Sequence, residues 1–530
     1  MEAYFQYKRV RDSVRQHLSE LKNKCSCDGY IIGDSHAEKC GMSLHNDSSE
    51  KSHHTKEAIP GDSIPVSWEG PNDPLNPANQ STARRMFMTL LVSLIAVAVT
   101  AASAIDAAGL KEYSEYFQVS EVVGSLATGL FLIGFACGSL LSGPFSETFG
   151  RNVIYSATML LYLIFIMASG LAPNLHSHLI FRFFAGFFAS TPLTCAGGTV
   201  ADLWDPLEKT YAFPAYAVPA FTGPMIGQMI GSYIPVTLGW RWLEWIMLIM
   251  GGAILVAVLL FQPETYGNLI LYWKASIIRQ ETGDERYRAP MEMKRETLAQ
   301  RLKLSVYRPF AMFYSELIII LLSLYLTIMY IVLFTFLEGY AFIFGETYGI
   351  SEGLTNLCWA GMLLGVLLVS FVVPVVYSWT AKEYKREKGS IAPEMRLWYA
   401  MLGGAPAVPI SLFWMGWTSN PSISIWSPLL ASVLFGFGIT SIFIICYMYL
   451  IDSYGTYSAS ALGFLVFTRY LVAGGITIAG DPIYESISVA YILTILGSIS
   501  AAMTPVPYLL YIYGPRIRKN SKYAVNVETE

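Results

Sequence analysis

Long apolar stretches alternate with short polar segments along most of this chain. A predominantly apolar stretch of about 18 or more residues is long enough to cross a bilayer as an α-helix. Twelve such stretches occur, six on each side of a longer polar gap: Met86–Ala104, Val123–Ser142, Val153–Ala172, Phe183–Val200, Tyr211–Pro235, Trp245–Phe261, Leu317–Leu337, Gly353–Trp379, Leu397–Trp417, Ser427–Leu450, Ser458–Ala479 and Ser488–Tyr511. The pattern predicts an all-α integral membrane protein with twelve transmembrane helices in two six-helix halves.

Composition and charge placement agree with a multi-pass membrane protein. Of the 530 residues, 54% are hydrophobic and 14% are charged, whereas soluble domains carry about 25% charged residues. Basic residues gather before the first stretch, in the gap between the halves, in the loop after the eighth stretch and in the C-terminal tail. Both termini are therefore expected in the cytoplasm. The net charge of −4 is spread over separate loops and does not indicate a nucleic-acid partner.

The polar segments divide the chain into six predicted parts. These are a largely disordered cytoplasmic tail (1–65), a Trp/Pro-rich cap (66–85), a six-helix half (86–261), a cytoplasmic bridge (262–312), a second half (313–511) and a cytoplasmic tail (512–530). Apolar residues from Tyr4 to Leu21 recur near helical spacing, which predicts a helix on a membrane surface or a partner, or an isolated helix in solvent. Cys25, Cys27 and Cys40 match a zinc site poorly. We predict no metal and no cofactor.

The loop between the second and third stretches carries a fixed set of polar residues. Gly143 is expected to let two helix ends approach closely, and Gly150 to permit a tight turn. The charges of Glu147 and Arg151 are placed to latch one face of the bundle. The loop resembles the Gly-x-x-x-Asp-Arg-x-Gly-Arg motif of the major facilitator superfamily, with Glu147 as the acid and Thr148 in place of the first arginine.

Further matches extend this resemblance over residues 66 to 523. A Trp-x-x-x-x-Asp-Pro-x-Asn-Pro segment before the first stretch resembles the fungal drug:proton antiporter group with twelve spans. The other matches, in order, are Arg182 with Gly186, Asp202, Trp240–Trp242, Pro263–Thr265, Arg308–Phe310 with Glu316, Pro393–Leu397, and Tyr449–Tyr454 with Ala459–Ala461. The resemblance implies the major facilitator fold, a cargo site near the midplane between similar halves, and an influence of Arg182 on proton coupling.

The fifth stretch departs from the antiporter pattern Gly-x-x-x-Gly-Pro-x-x-Gly-Gly of that family. Gln228 stands where the family has its key proline. Pro224 can still kink the helix one turn earlier. Gly223, Gly227 and Gly231 give a small-residue face for close helix packing. We therefore expect a hinge in the fifth helix, while the change at Gln228 bears on proton antiport.

Ionisable residues in or beside the spans are functional candidates, because a charge in the bilayer is expensive. Arg182 has no acid in its own stretch, and we expect it to act in proton coupling or to clamp a neighbouring helix. Glu316 either titrates or forms a salt bridge at the cytoplasmic end of the seventh helix. Arg469 either meets an anionic group of the cargo or pairs with an acid. Asp106 is expected to face the outside from the end of the first helix.

The cargo is the least defined part of the prediction. Tyr325, Tyr330, Tyr447 and Phe464 are candidates to line an aromatic cavity for amphipathic or cationic molecules, with simple packing as the alternative. We predict a non-enzymatic monomer that exports small organic molecules (drugs, toxic metabolites or polyamines) in exchange for protons. Its expected site is the plasma membrane, with the vacuolar or endoplasmic reticulum membrane as alternatives. A non-transporting sensor and an uncoupled facilitator or uptake carrier are the other hypotheses.

Overall fold

The computed structural model describes residues 1–27, 63–293, 297–387 and 391–524. Within these residues, eleven helices are long and apolar enough to cross a membrane: Thr82–Phe117, Glu121–Phe149, Arg151–Gly170, Leu175–Leu203, Arg241–Phe261, Leu317–Glu346, Glu352–Arg386, Pro393–Thr418, Trp426–Tyr454, Ser458–Gly480 and Val489–Lys519. We call them the first to fourth and the sixth to twelfth membrane helices. They coincide with eleven of the twelve predicted stretches.

The fifth membrane helix is Lys209–Gly231, at the position of the remaining predicted stretch. Three prolines, three glycines and Gln228 lower its hydropathy below that of the other eleven. It nevertheless packs along the first membrane helix. The prediction of an all-α membrane protein with twelve helices is confirmed.

Glycine pairs let the backbones of several helices touch directly. Side chains added at Gly134 or Gly186 would overlap with the facing backbone of the fourth or second helix. In the second half, Gly365 and Gly436 bring the eighth and tenth helices together in the same way. Such close approach replaces the hydrophobic effect as the source of helix association in a bilayer.

The first membrane helix is interrupted near its C-terminal end. It is regular over Thr82–Ala102, tightens into a 3₁₀ turn over Ile105–Gly109, and resumes over Leu110–Phe117. An interruption leaves backbone carbonyls without their intrahelical donors. Those carbonyls must find other partners inside the bundle.

The N-terminal helix (Glu2–Cys27) packs against the helix Gly267–Thr282 of the segment between the halves. Val10 and Val14 are buried in one apolar cluster with Ile270. A short parallel pair, Ile64–Pro65 with Tyr287–Arg288, joins the same two regions. The periodic apolar residues of the tail therefore find their partner in this chain. The segment between the halves also contains the helix Leu298–Ser315.

Candidate functional site

The loop between the second and third membrane helices is organised around Arg151. Its Nε lies 3.2 Å from Asp202 Oδ2, and its Nη1 donates to Ser146 Oγ at 2.6 Å. Asp202 lies in the last turn of the fourth helix, so this buried ion pair joins the ends of two helices. Glu147 is exposed and makes no ion pair with Arg151 within 4.0 Å. The close ion pair of Arg151 is therefore with Asp202 and not with Glu147, because the last turn of the second helix turns Ser146 inward and Glu147 outward. The latching role of this loop stays a prediction.

The tight turn predicted at Gly150 is present. Its φ is +94°, and a side chain there would overlap with the carboxylate of Glu264. Glu264 accepts from the backbone N–H groups of Arg151 at 2.9 Å and Asn152 at 3.2 Å, so it caps the third helix. Burial raises the pKa of Glu264, against the lowering effect of these donors. By contrast, a side chain at Gly143 would meet no atom within 4 Å, so the close approach predicted there is wrong.

The second half contains a related arrangement that also reaches across to the first half. Arg396 Nε lies 2.6 Å from Asp452 Oδ2. Its Nη1 donates to Thr210 Oγ1 and its Nη2 to the carbonyl of Pro206, both at 2.6 Å. Tyr399 donates to the carbonyl of Thr210 at 2.7 Å. We call the last three bonds, which reach Thr210 and Pro206 of the first half, the cross-half contact. It fastens the ninth helix to the start of the fifth.

Glu316 directly precedes the seventh helix, at the helix end that adjoins the segment between the halves. Its carboxylate accepts from Tyr454 at 3.1 Å, from Ser521 at 2.6 Å and from the backbone N–H of Lys522 at 3.2 Å. These bonds tie the C-terminal segment to the bundle. Of the two roles predicted for Glu316, the geometry fits the structural one at the helix end, although its partners are hydroxyl and backbone groups.

Arg182 is the centre of a buried cluster of four ionisable groups, with Asp106, His178 and Glu244 around it. Its Nε lies 2.7 Å from Asp106 Oδ2, its Nη1 lies 3.6 Å from Glu244 Oε1, and its Nη2 donates to the carbonyl of Ala102 at 2.8 Å. His178 Nε2 lies 3.9 Å from Asp106 Oδ2. Arg182 thus binds two carboxylates from other helices and one of the carbonyls freed by the interrupted first helix.

Ser169 links the remaining members of this cluster. Its hydroxyl donates to Glu244 Oε1 and lies 2.9 Å from both that atom and His178 Nδ1. One ligand atom each of Asp106, His178 and Glu244 fall within 4.8 Å of one another, a spacing compatible with a metal ion. The guanidinium of Arg182 already supplies a positive charge between the two carboxylates, so the set fits an ion-pair network better than a cation site.

Sequence reasoning found Arg182 but missed three of its neighbours. Asp106 was expected to face outward, whereas it is only 3% exposed. Glu244 and His178 lie outside the predicted spans, which begin at Trp245 and Phe183. The structure extends the sixth helix back to Arg241 and the fourth back to Leu175. The sequence pattern places the ends of these spans at charged residues. In the structure those charges neutralise one another inside the bundle.

The fifth helix packs tightly on the first through the residues of the altered motif. Side chains at Gly223 or Gly227 would overlap with atoms of the first helix. Gln228 donates to the carbonyl of Ala104 at 2.6 Å, a second carbonyl of the interrupted segment. Pro224 lies inside a continuous helix. The hinge remains a prediction, but Gln228 has a defined structural task that a proline could not perform.

A small cavity lies between the two halves. Its walls come from the first, fourth and fifth helices on one side and the seventh, tenth and eleventh on the other, through Thr100, Leu193, Ala220, Phe221, Pro224, Tyr330, Leu333, Phe334, Phe443 and Tyr470. Its volume of about 10 Å³, measured for the centre of a water-sized sphere, holds about one water molecule. The cavity is therefore nearly closed in this conformation.

Arg469 is buried beside that cavity. Its guanidinium lies over the rings of Tyr330, Phe443, Tyr447 and Tyr470 at 4.7 to 5.3 Å, and Nη2 donates to Tyr447 OH at 2.8 Å. Of the predicted cavity residues, Tyr330 lines this cavity, and its contact with cargo stays a prediction. Tyr447 contacts the arginine instead.

Two predicted cavity residues serve packing instead. Phe464 stacks on Phe313 with ring centroids 4.3 Å apart, next to the bridge. Tyr325 is buried and does not contribute to the cavity wall. Their aromatic character was therefore a sign of helix packing, the alternative considered for this group.

The helical bundle in two similar halves, with a central cavity and buried ionic groups, defines a polytopic membrane transporter. The model of the Major Facilitator Superfamily matches residues 83–477. This chain belongs to that family.

Fungal transporters are similar to this chain over most of its length. The MFS-type transporter kojT of Aspergillus flavus is 48% identical over 463 residues, which cover 86% of this chain and 82% of the relative. The ascochitine biosynthesis cluster MFS transporter of Didymella fabae is 35% identical and covers 87% and 89%, respectively. Among solved structures, the proton:xylose symporter XylE gives a TM-score of 0.59 at 15% identity, covering 82% of this chain and 96% of the symporter. The human organic anion transporter MFSD10 gives 0.54 at 16%, covering 82% and 100%. These two structures establish the fold alone.

Proposed function

We propose that this protein exports small organic molecules across a membrane, in exchange for protons, by alternating access. The observation that carries the proposal is the buried cluster of Asp106, His178, Arg182 and Glu244. Ionisable groups within a transporter bundle are expensive and mark ion pathways or proton relays. Here they belong to the first half and stand apart from the cavity walls.

The charge balance of the cluster supports a proton-binding role. With His178 neutral, the carboxylates of Asp106 and Glu244 outnumber the guanidinium of Arg182 by one. One bound proton, on Glu244 or on His178, would neutralise the set, and an uncompensated charge in a buried site is costly. The other ionisable groups acting on the cluster are Tyr113, Tyr162 and Arg241. By the orientation that the basic loops predict, the cluster lies toward the outer face, where protons would enter.

Contacts at both ends of the cavity support alternating access. The cross-half contact of Arg396 and Tyr399 closes the predicted cytoplasmic side. On the other side, the eighth helix packs so closely at Gly353 that a side chain there would overlap with Tyr233 of the first half. Release of one end at a time would expose the cavity first to the cytoplasm and then to the outside. A relative named for a biosynthesis cluster supports a small metabolite as cargo. We propose the plasma membrane as the site of export.

Inside-out vesicles from cells that express the protein test the proposal. The vesicles, acidified inside, are incubated with an extract of fungal metabolites, and mass spectrometry identifies the compounds that accumulate. We expect accumulation of at least about tenfold over vesicles without the protein, and its loss on addition of a protonophore. Glu244→Gln, which neutralises the cluster permanently, should abolish accumulation and keep exchange of labelled for unlabelled cargo.

Glu115→Gln is the matched control, because Glu115 is an exposed acid of the same outer region. It should behave as the native protein. Protonophore-insensitive equilibration of cargo would replace the proposal with an uncoupled facilitator. Absence of any flux from protein that reaches the membrane would favour the non-transporting sensor.

A further inference from the structure

The most unusual charge in the second half is the guanidinium of Arg469, because it has no anionic partner. The side chain is 0% exposed in the middle of the eleventh helix. Among the residues that the structure describes, no carboxylate lies within 4.0 Å of it. Its Nε and Nη1 are buried without a hydrogen-bond acceptor, and Nη2 reaches only a tyrosine hydroxyl. Every other arginine that is equally buried in this bundle, such as Arg182 or Arg396, has an acid.

Acids on the helices that surround Arg469 are placed elsewhere. Asp452, five residues beyond Tyr447 on the tenth helix, pairs with Arg396. Glu338 of the seventh helix packs against Gly480. Gly480 follows Arg469 by eleven residues on the same helix, which is about 16 Å at the rise of an α-helix. The positive charge is therefore balanced only by the π-faces around it.

Four aromatic rings offset part of the cost of this buried cation. Each cation–π contact is weak beside the penalty for burying an ion, although such contacts are strongest in desolvated sites. Unsatisfied donors add to that penalty. An oxyanion that accepts from Nε and Nη1 would remove both the charge imbalance and the unsatisfied donors. Arginine suits this task, because its planar guanidinium can donate two parallel N–H bonds to two oxygens of a carboxylate or sulfonate.

The position of Arg469 connects this requirement to the central cavity. Three of the rings under its guanidinium, Tyr330, Phe443 and Tyr470, also line the cavity between the halves. Phe221 and Phe334 add two more aromatic rings to the cavity wall. A ligand in an opened cavity would thus meet aromatic faces first and a cationic donor behind them.

We infer that Arg469 is the recognition site for the charged group of the cargo, and that the cargo is an organic anion with a planar ring. This assignment rests on the proposed transport function and names the class of its substrate. It reverses the expectation of a cationic molecule in an aromatic cavity, because the cage around Arg469 is already filled by the protein's own cation.

Ligand binding to the purified full-length protein tests the assignment without any need for transport. The probes are benzoate with its neutral partner benzamide, benzenesulfonate with benzenesulfonamide, and the cation benzyltrimethylammonium. The dissociation constant of each is obtained from the ligand-dependent shift of the unfolding midpoint. We expect each anion to bind at least about tenfold more tightly than its amide, since a hydrogen bond to a charged group contributes roughly 1.5–3 kcal/mol. The cation should bind more weakly than either.

Variants of Arg469 test whether this side chain causes the preference for anions over amides. Arg469→Gln should reduce the anion-to-amide ratio to about one, and Arg469→Lys, which keeps the charge, should retain part of it. Arg386→Gln, which removes an exposed cytoplasmic arginine, should leave the ratio unchanged. A native ratio near one, equal or tighter binding of the cation, or a tenfold ratio that persists in Arg469→Gln would each overturn the assignment. The first two outcomes require no variant, so failure of Arg469→Gln to fold does not remove the test.

The outcomes also separate this inference from the proposed function. Anion preference without protonophore-sensitive accumulation would retain the site and refute proton-coupled export. Protonophore-sensitive accumulation without anion preference would retain export and refute the site.

Discussion

Replacement of Arg396 by alanine should open the cytoplasmic side of the transporter. Arg396 makes two charge-assisted hydrogen bonds across the halves, to Thr210 and to the carbonyl of Pro206. Each such bond contributes roughly 1.5–3 kcal/mol. Loss of at least about 3 kcal/mol from the closed arrangement alone would shift the closed-to-open ratio on the order of a hundredfold. Tyr399→Phe removes one neutral bond, worth about 1 kcal/mol, and should shift the ratio only about fivefold.

The rate of maleimide labelling at the cavity measures this ratio. Leu193→Cys, in a background without other cysteines, places a reporter in the cavity wall. Inside-out vesicles expose the cytoplasmic side to the reagent. We expect labelling to accelerate in the order native, Tyr399→Phe, Arg396→Ala. Arg386→Gln is the control, because its side chain is 73% exposed and lies on the same predicted side. Equal labelling rates in all variants, or a larger effect from Tyr399→Phe than from Arg396→Ala, would refute the role of the cross-half contact.

Two further predictions concern the first half. Arg151→Ala should lower transport far more than expression, because it breaks the pair with Asp202, whereas Glu147→Gln should transport normally. Cargo flux normalised to the amount of protein in the membrane measures both variants. An equal loss of flux in Glu147→Gln would support a latch between Glu147 and Arg151. Gln228→Ala should lower the free energy of unfolding by about 0.5–1.5 kcal/mol, because the carbonyl of Ala104 loses its shorter hydrogen bond and keeps the one from the N–H of Ala107, at 3.2 Å. Thermal unfolding of the purified variant measures this, and an unchanged midpoint would show that the carbonyl finds another partner.

The sequence predicted the number and order of the helices because hydropathy is a sum over many residues. It failed at the ends of three spans, near Asp106, His178 and Glu244, for a physical reason. Hydropathy assigns each charge its full cost of transfer into lipid, as if it were alone. Groups that meet Arg182 within the bundle pay much less of that cost. A span estimated from single residues therefore stops where a buried ion pair begins.

The sequence also did not predict which residues pair with Arg151 and Arg396. Arg151 lies four residues from Glu147 but pairs with Asp202, more than fifty residues away, because helix direction decides which side chain faces inward. Two of the bonds that Arg396 and Tyr399 make across the halves end on backbone carbonyls, which have no signature in residue type. By contrast, Gly150 was identified correctly, since only a glycine fits its positive φ beside Glu264.

A transporter with a proton site around Arg182 in one half and an anion site at Arg469 in the other must move charge. If one proton enters for each anion that leaves, each cycle carries two positive charges inward. An inside-negative potential of 100 mV would then supply about 4.6 kcal/mol, enough for a cargo gradient on the order of a thousandfold. We therefore expect a potassium-diffusion potential to drive export even without a pH gradient. Export of the cargo that responds to a pH gradient and ignores the potential would require exchange of one proton for one monocation, and would contradict the combined scheme.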